Sequence, residues 1–557
     1  MDDLSLKAVP PPATVSVTVN AGQTLRTVDA RHFGMNAAIW DAQFATATTV
    51  QLLQEMANQT LRFPGGSLSD EYHWQTGTTL NNTWQWATTF DEFANVATQT
   101  LAQVFITANY GTGTPTEAAD WVRYANVTRG YGFKYWEIGN ENYGSWEADA
   151  QPRPHDPYTY ALRFKDYWQQ MKAVDPSIKI GAVVVTGEDS YANYTDHPVV
   201  NPRTGQTRNG WTPVLLATLQ SLGITPDYVI FHRYPQAPGA ESDAGLLASS
   251  ASWAADAADL RQQLNDYLGA AGPGVELVCT ENNSVYSNPG KQTTSLVNGL
   301  FLADSLGAAL RTEFNAVVWW DFRNSRETGN NNSASLYGWR AYGDYGIVSD
   351  AVPAGPADRF PTFYVAKLLQ RFARGGDALV GAASDYHLLT AHAARRSDGS
   401  LSVLVINKAP TNTLNASLTL GGYTLNGSLN VYSYGIPQDE AARTGTGSAD
   451  LAVQSFTGVA SPLAFSFPPY SVSVLSFNGT LPPPPPVIRK PDAQVKVSND
   501  TAYVGDNLYG TDGTNQTRAQ AVKPGRSGTF HFLVQNDGST ADAFTVRGPA
   551  SSGAFTV

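Results

Sequence analysis

Short apolar runs alternate with longer segments of helical spacing between residues 32 and 375. The apolar runs predict eight strands, at 32–36, 60–66, 102–110, 134–141, 178–185, 227–234, 275–281 and 316–322. Apolar residues three and four positions apart predict helices between them, at 49–58, 115–127, 159–174, 212–223, 251–269, 294–310 and 360–373. This alternation predicts a (β/α)8 TIM barrel over 32–375, whose functional groups lie at the C-terminal ends of the strands.

Outside the barrel, the pattern has a period of two. Residues 376–479 contain several such runs between turn residues, which predicts a β-sandwich, and a similar run at 14–31 predicts N-terminal strands that join it. Five consecutive prolines within 480–490 predict an extended linker. The period-two pattern returns in 491–557, where we expect a small accessory β domain cut off before its end.

Composition narrows the classes of partner. The net charge of −12 forms no basic stripe, so a nucleic-acid partner is excluded, and a neutral ligand fits better. No apolar run approaches the roughly 20 residues of a membrane-spanning helix. The single cysteine and the spacing of the eight histidines predict no disulfide, metal site or cofactor. We expect a secreted protein whose signal peptide is missing from this sequence.

Two carboxylates end predicted strands on different parts of the barrel. WEIGNEN (136–142) contains Glu137 and Glu141, which share the parity of one strand face, and Glu281 ends the seventh strand. Glu137 lies deeper, where a cation such as Arg62 would have to balance its charge. Glu141 and Glu281 would face each other across the barrel mouth, which is the arrangement that glycoside cleavage requires.

These motifs resemble a known group of enzymes. WEIGNEN, followed about 140 residues later by VCTENNS, is similar to the clan A glycoside hydrolases. LRFPGGS (61–67) and the stretch 108–126 most resemble the α-L-arabinofuranosidases of glycoside hydrolase family 51, over roughly residues 14–478. Family 44 endoglucanases and family 39 β-xylosidases are also similar.

The resemblance implies roles for particular residues. Glu141 would be the acid/base and Glu281 the nucleophile of a retaining enzyme, while Asn140 would donate to the sugar 2-hydroxyl. Two departures are visible: TENNSVYSNPG stands where arabinofuranosidases carry an Asp-Glu-Trp-Asn type of sequence, and Phe63 replaces an aromatic hydroxyl. The further substrate-binding or supporting residues predicted at or beside strand ends are Asn36, Trp40, Arg62, Trp74, Tyr143, Trp146, His232, Tyr234, Tyr286, Trp319 and Trp320.

Three functions are compatible with these observations. The first is an α-L-arabinofuranosidase-like retaining hydrolase acting on plant polysaccharide or oligosaccharide. An endo-β-1,4-glucanase or xylanase of the same clan is the second, and an open cleft lined by tryptophans would favour it. The third is a non-catalytic carbohydrate-binding protein, which the linker and the many aromatic residues suggest but the carboxylate pair disfavours.

Overall fold

The computed structural model describes residues 11–79, 86–352, 355–481, 490–510, 512–538 and 541–548. They divide into two compact units, 1–481 and 482–557. The prolines of the predicted linker, within 482–489, lie outside the described residues. No helix among the described residues is long and apolar enough to cross a membrane.

Eight parallel strands close into a barrel in the first unit. The first strand of the chain, β1 (Val15–Thr27), belongs to a different sheet, and the barrel strands follow it in chain order. A separate two-stranded sheet of β7 (Val199–Val200) and β8 (Thr207–Arg208) comes between the fifth and sixth barrel strands. The barrel strands are β2 (Gly34–Asn36), β3 (Thr60–Phe63), β4 (Gln103–Ala108), β5 (Tyr135–Ile138), β6 (Lys179–Val183), β9 (Tyr228–Arg233), β10 (Glu276–Asn282) and β11 (Phe314–Trp319), which pairs with β2.

Helices alternate with these strands and surround them. They are α1 (Ala47–Glu55), α2 (Phe90–Thr100), α3 (Pro115–Val122), α4 (Pro157–Val174), α5 (Trp211–Ser221), α6 (Asp243–Ser249), α7 (Trp253–Leu268), α8 (Leu296–Ala309) and α9 (Pro361–Phe372). Helix α3 continues as a π-helix over Arg123–Thr128. Short 3-10 helices span Ala30–His32, Ser67–Asp70, Ser250–Ser252, Gly269–Gly274, Lys291–Thr294 and Pro356–Asp358. The predicted TIM barrel is confirmed, although α2 and α6 were not among the predicted helices.

Local sequence explains where several helices begin. Thr89 accepts from the N–H of Glu92, whose side chain accepts in return from the N–H of Thr89. Thr114 and Asp156 cap α3 and α4, and a proline occupies the first helical position after each. Capping side chains satisfy N–H groups that have no partner within the helix, and proline has no N–H to satisfy.

The predicted sandwich is a nine-stranded sheet formed by β1 and eight later strands. The elements after the barrel are β12 (Ala378–Ser384), β13 (Leu389–Arg395), β14 (Leu401–Asn407), β15 (Leu414–Gly421), β16 (Thr424–Gly435), α10 (Ile436–Thr444), β17 (Ala452–Thr457), β18 (Leu463–Phe467) and β19 (Ser471–Thr480). The strand order is β17-β16-β19-β14-β13-β12-β1-β15-β18, so the N-terminal β1 lies between β12, to which it is antiparallel, and β15, to which it is parallel. Apolar residues from β1, β12, β13, β14, β15, β16, β18 and β19 form one core.

The second unit contains one antiparallel pair among its described residues. Strand β20 (Pro491–Val497) pairs with β21 (Phe530–Asn536) over seven residue pairs. The alternation in 491–557 therefore corresponds to strands at these two positions.

Candidate active site

Glu137 and Glu141 occupy different structural settings. Glu137 lies within β5, fully buried in the barrel. The strand ends at Ile138, three residues before Glu141, whereas we predicted that it continues to Glu141. A turn brings Glu141 to the barrel mouth instead, with positive φ at Gly139 (75°) and at Glu141 (42°). The alternation of side chains along the strand therefore explains why Glu137 points into the barrel. It does not explain the position of Glu141, which lies beyond the end of the strand.

The turn that carries Glu141 is tightly constrained. A Cβ atom on Gly139 would lie 2.0 Å from Oδ1 of Asn142, so no other residue fits without movement. The buried carboxylate of Asp70 accepts from the backbone N–H of Asn140 at 3.0 Å and from Nδ2 of Asn142 at 2.8 Å. These contacts fix the segment on either side of Glu141.

Glu281 lies at the end of β10 and is held by two donors. Nη1 of Arg62 donates to Oε1 at 2.7 Å, and the hydroxyl of Tyr234 donates to Oε2 at 2.6 Å. Burial raises the pKa of Tyr234 well above its usual range, and the adjacent charge of Glu281 adds to the shift, so the hydroxyl keeps its proton. Both contacts stabilise the ionised carboxylate.

Arg62 connects most of the polar groups in the barrel. It is fully buried. Besides the hydrogen bond to Glu281, it donates from Nε to Glu137 at 2.8 Å, from Nη1 to Asn36 at 3.1 Å and from Nη2 to Asn140 at 2.9 Å. Arg62 is thus the cation that the burial of Glu137 requires.

Glu141 accepts two hydrogen bonds, from Nδ1 of His232 at 2.9 Å and from Nε1 of Trp146 at 2.9 Å. Burial by itself raises the pKa of this carboxyl, but the hydrogen bond and the electrostatic interaction with His232, together with the hydrogen bond from Trp146, outweigh it, and the net pKa lies below the ordinary value. Nδ1 of His232 also lies 3.6 Å from Oε2 of Glu281. His232 therefore connects the two carboxyl groups.

The two carboxyl groups are close enough to act on one bond. One oxygen of Glu141, one of Glu281 and a ring nitrogen of His232 lie within 4.8 Å of one another. Retaining glycoside hydrolases separate their two carboxyl groups by about 5–5.5 Å, whereas inverting enzymes need roughly 6.5–9.5 Å. Such a trio could also bind a metal ion. However, Arg62 and Tyr234 already donate to both oxygens of Glu281, which favours a carboxylate pair.

A cleft of about 690 Å³ opens above these groups, within the usual range for a ligand pocket. One wall carries Tyr143, Trp146 and Tyr191, beside Glu141. Tyr286 and Trp320 also line it, and Trp320 lies so close to Gly66 that a Cβ there would be 2.5 Å from the indole. The residues that line the cleft are Gly66, Ser67, Asn140, Glu141, Tyr143, Trp146, Tyr191, His232, Tyr234, Glu281, Tyr286, Ser287 and Trp320.

Five predicted substrate-binding or supporting residues do not line this cleft, and one of them, Arg62, is fully buried in the barrel. Trp319 packs against Phe301 of α8, outside the strand layer, so of the two adjacent tryptophans only Trp320 faces the cleft. Trp74 also lies outside the cleft, where its ring stacks on Trp121 and its Nε1 donates to the backbone carbonyl of Glu117. Trp40 and Asn36 support the site indirectly, through an edge contact with Trp320 and the hydrogen bond from Arg62.

Sequence reasoning also missed three residues that contact the site. Asp70 holds the turn, Tyr191 reaches the cleft from the loop after β6, and Glu147 accepts from Ser67 at 2.9 Å and from Nδ2 of Asn140 at 3.1 Å. Glu147 follows WEIGNEN closely, so proximity to that motif was a usable signal. Asp70 likewise follows LRFPGGS by three residues, whereas Tyr191 lies in a loop with no such motif nearby.

Burial changes the acidity of two of these carboxyl groups. It raises the pKa of Asp70 to about 8, although several N–H groups donate to this side chain and oppose the shift. Burial also raises the pKa of Glu147 well above its usual range, and the charges of Asp70 and Glu141 add to the effect. The surroundings of Glu147 therefore favour its protonated form.

The fold and the site together define a class of protein. A TIM barrel followed by a β-sandwich, with glutamates at the ends of its fourth and seventh strands, is the arrangement that resemblance to the clan A glycoside hydrolases implied. The solved α-L-arabinofuranosidase of Thermotoga maritima superposes with a TM-score of 0.62 at 18% identity, over 83% of this chain and 99% of that protein. A family 44 xyloglucanase of Paenibacillus polymyxa superposes with a TM-score of 0.61 at 13% identity, over 84% of this chain and 100% of that protein.

Sequence comparison points to the same relatives. The alpha-L-arabinofuranosidase C of Emericella nidulans is 28% identical over 175 residues, which cover 26% of this chain and 34% of that protein. An exo-alpha-(1->6)-L-arabinofuranosidase of Bifidobacterium longum is 24% identical over 414 residues, which cover 65% of this chain and 73% of that protein. The chain spans about a third of the length of the fungal relatives it matches, and no protein-family model matches it. The predicted resemblance to arabinofuranosidases is confirmed.

Proposed function

We propose that this protein is a retaining glycoside hydrolase that removes α-L-arabinofuranosyl residues from plant cell-wall polysaccharide. The observation that carries the proposal is the pair Glu141 and Glu281, with carboxyl oxygens within 4.8 Å at the mouth of a TIM barrel. This spacing suits a double displacement, in which one carboxylate attacks the sugar and the other transfers protons.

In the first half of the reaction, Glu281 attacks the anomeric carbon of the bound sugar. A bond forms between that carbon and a carboxylate oxygen, while the bond to the glycosidic oxygen breaks. Glu141 gives its proton to the leaving oxygen, which departs as an alcohol. Arg62 and Tyr234 hold Glu281 in position by donating to its two carboxyl oxygens.

In the second half, a water molecule replaces the leaving alcohol. Glu141 takes a proton from the water, whose oxygen attacks the anomeric carbon and breaks the bond to Glu281. The sugar leaves with its original anomeric configuration, and Glu141 is protonated again for the next cycle. The hydrogen bonds that lower the pKa of Glu141 favour the ionised form that this half requires, whereas the first half requires the protonated form.

Asn140 fits the role of a sugar ligand. Its Oδ1 accepts from Arg62 and one hydrogen of Nδ2 goes to Glu147, so the second Nδ2 hydrogen is free to donate to a sugar hydroxyl in the cleft. A hydrogen bond to the 2-hydroxyl that strengthens in the transition state is a common feature of glycoside hydrolysis.

The substrate assignment is supported by relatives, several of which are named arabinofuranosidases. Because a polymer of plant cell walls cannot enter a cell, we propose that the protein acts outside the cell.

Product analysis on arabinoxylan, xylan and β-glucan tests the substrate assignment: release of free arabinose alone supports it. Oligosaccharides from an unbranched chain would favour the endo-glucanase or xylanase alternative, and glycan binding without products would favour a carbohydrate-binding protein.

Replacement of the nucleophile tests the mechanism. Glu281→Gly is expected to lose nearly all activity, and azide, which fits the space left by the carboxylate, should restore turnover and give a glycosyl azide of inverted configuration. Glu440→Gly, an exposed carboxylate on α10, is the control and should keep wild-type rates. Full activity of Glu281→Gly without azide would show that another group attacks the sugar.

A further inference from the structure

We infer that this protein carries a second glycan-binding site, outside the catalytic cleft, where the rings of Trp74 and Tyr124 contact a neutral polysaccharide. A cavity of about 430 Å³, here called the Trp74 cavity, lies between the turn that carries Trp74, the start of α2 and the π-helical extension of α3. Among the described residues, it shares no lining residue with the catalytic cleft. The choice of a polysaccharide as its ligand rests on the proposed function.

Two adjacent aromatic rings line the Trp74 cavity. Trp74 and Tyr124 contact each other with ring centroids 5.1 Å apart and planes tilted by 36°. Trp74 stacks in parallel on Trp121, which is 1% exposed, and meets Phe90 edge-on. The buried rings therefore support Trp74 and Tyr124, which stay partly exposed. Such rings offer an apolar surface to the C–H groups of a sugar.

The turn that carries Trp74 is held in place by its own contacts. The backbone N–H groups of Thr76 and Gly77 donate to the carbonyl of His73 at 3.2 and 2.9 Å. Two contacts with Glu117 of α3 anchor the turn: Nδ1 of His73 lies 2.9 Å from its Oε1, and Nε1 of Trp74 donates to its carbonyl at 3.2 Å. A ring that is already fixed loses little conformational freedom when a ligand binds, which favours affinity.

Asp91 places an oriented carboxylate at the cavity. It accepts from the hydroxyl of Tyr124 at 2.8 Å and from that of Tyr131 at 3.3 Å, and Nη1 of Arg129 pairs with it at 3.1 Å. These three contacts leave about one of the four lone-pair sites of a carboxylate. Since the side chain is 45% exposed, Asp91 can accept a hydrogen bond from a ligand hydroxyl.

The rest of the lining favours a neutral ligand that is rich in hydroxyl groups. Gln75 and Thr76 are exposed and bring an amide and a hydroxyl, each of which can donate and accept. None of the described lining residues is a lysine or arginine, and Arg129 already balances the charge of Asp91, so neither an anion nor a cation is favoured. Sugars combine C–H faces with hydroxyl groups, and a neutral glycan therefore matches both the rings and the polar groups.

A second site would keep a polymer on the protein between successive cleavages. Two sites on one chain raise the overall affinity for a ligand long enough to reach both, without any change in either site. The effect should be confined to polysaccharide, because a small glycoside occupies only the catalytic cleft at one time.

Affinity electrophoresis of the full chain measures this binding apart from catalysis. Glu281→Gly provides the background, since it should not consume the glycan, and arabinoxylan and β-glucan are cast into separate native gels. Adding Trp74→Ala or Gln75→Ala should raise the apparent Kd about three- to tenfold in at least one gel, which identifies the glycan. Phe456→Ala is the control: it removes a ring that is 39% exposed on β17, and it should leave the retardation unchanged.

Kinetics with an intact Glu281 show whether the Trp74 cavity acts separately from the cleft. Trp74→Ala should raise KM on arabinoxylan about three- to tenfold and leave kcat within about twofold of wild type. On p-nitrophenyl α-L-arabinofuranoside, both constants should change by less than about twofold, because this substrate cannot reach a second site.

The outcomes separate the inference from the proposed function. Unchanged retardation of both Trp74→Ala and Gln75→Ala in both gels would overturn the inference, and so would equal losses of Trp74→Ala on polymer and small glycoside. Retardation that depends on Trp74 in a protein that hydrolyses neither substrate would overturn the proposed function and leave the second site standing. The thermal midpoint shows whether Trp74→Ala folds, and if it does not, the exposed Gln75→Ala change decides the result.

Discussion

Nη1 of Arg62 lies 2.7 Å from Oε1 of Glu281, inside the barrel, where both side chains are buried. The same guanidinium also pairs with Glu137 at 2.8 Å and contacts Asn36 and Asn140. One cation therefore stabilises both the buried structural carboxylate and the proposed nucleophile. Its loss should affect catalysis and folding together.

Arg62→Lys should show this double dependence. Lysine keeps the charge but lacks the planar fork, so it cannot make four contacts at once. Because hydrogen bonds to charged groups contribute about 1.5–3 kcal/mol each, we expect kcat/KM to fall at least about 100-fold, along with the thermal midpoint. Arg31→Lys is the control, since Arg31 also pairs with two carboxylates, Asp29 and Glu276, away from the cleft. It should lose stability but keep kcat/KM within about threefold.

Tyr234→Phe isolates one hydrogen bond to the proposed nucleophile. The change removes the 2.6 Å contact to Glu281 but keeps the ring. Loss of a hydrogen bond to a charged group predicts a fall in kcat/KM of about 10- to 100-fold, measured by steady-state kinetics. Tyr228→Phe removes a buried hydroxyl that donates to the carbonyl of Trp136 instead, and its kcat/KM should be near that of wild type. Similar losses in both variants would contradict a specific role for Tyr234.

Glu147→Gln should change how stability depends on pH. Burial, with the charges of Asp70 and Glu141, raises the pKa of Glu147 in the folded protein. The native state therefore holds a proton that the unfolded chain releases above about pH 4.3. The stabilising effect is complete below that pH and is lost as pH rises toward the native pKa, at about 1.4 kcal/mol per pH unit.

Glutamine cannot titrate, but it keeps an oxygen that accepts from Ser67 and Asn140. We expect the thermal midpoint of Glu147→Gln to fall less than that of wild type between pH 5 and pH 8. Glu147→Ala, which loses the acceptor, should in addition lower kcat/KM. Parallel pH curves for wild type and Glu147→Gln would show that Glu147 is not protonated in the native state.

Asp304 lies at the contact between the barrel and the sandwich, where it pairs with His392 and Lys408. Its contribution to stability should depend on pH in the opposite direction to that of Glu147. Burial opposes ionisation of Asp304, but His392 at 3.2 Å and Lys408 at 3.1 Å outweigh it and lower its pKa. A depressed pKa stabilises the fold above the unfolded value, about 3.9, and this contribution is lost as pH falls below it.

At pH 7, Asp304→Asn leaves Lys408 buried without its carboxylate, which should cost about 3–5 kcal/mol. Chemical denaturation at pH 7 and at pH 3.5 measures both effects, and the difference between wild type and variant should shrink at the lower pH. The double variant Asp304→Leu with Lys408→Met removes both charges and should recover much of the loss. A difference that does not change with pH would mean that the pair is not ionised.

The sequence by itself determined the architecture and the two glutamates of the proposed mechanism. Strands and helices can be predicted from local sequence, because a helix with one buried face and a parallel strand with both faces buried each have a characteristic spacing of apolar residues. The position of Glu141 and Glu281 at the ends of barrel strands also follows from the order of the elements. WEIGNEN and VCTENNS therefore pointed to the site before any contact was known.

Tertiary structure alone decided which side chains surround these glutamates. The left-handed turn that presents Glu141, the burial of Trp74 and Trp319 away from the cleft, and the approach of Tyr191 to Tyr143 each depend on how loops from separate strands pack. Glu147 likewise gains its raised pKa from charges that the fold places beside it. Contacts between residues distant in sequence set burial and electrostatic interactions, and no local pattern records them.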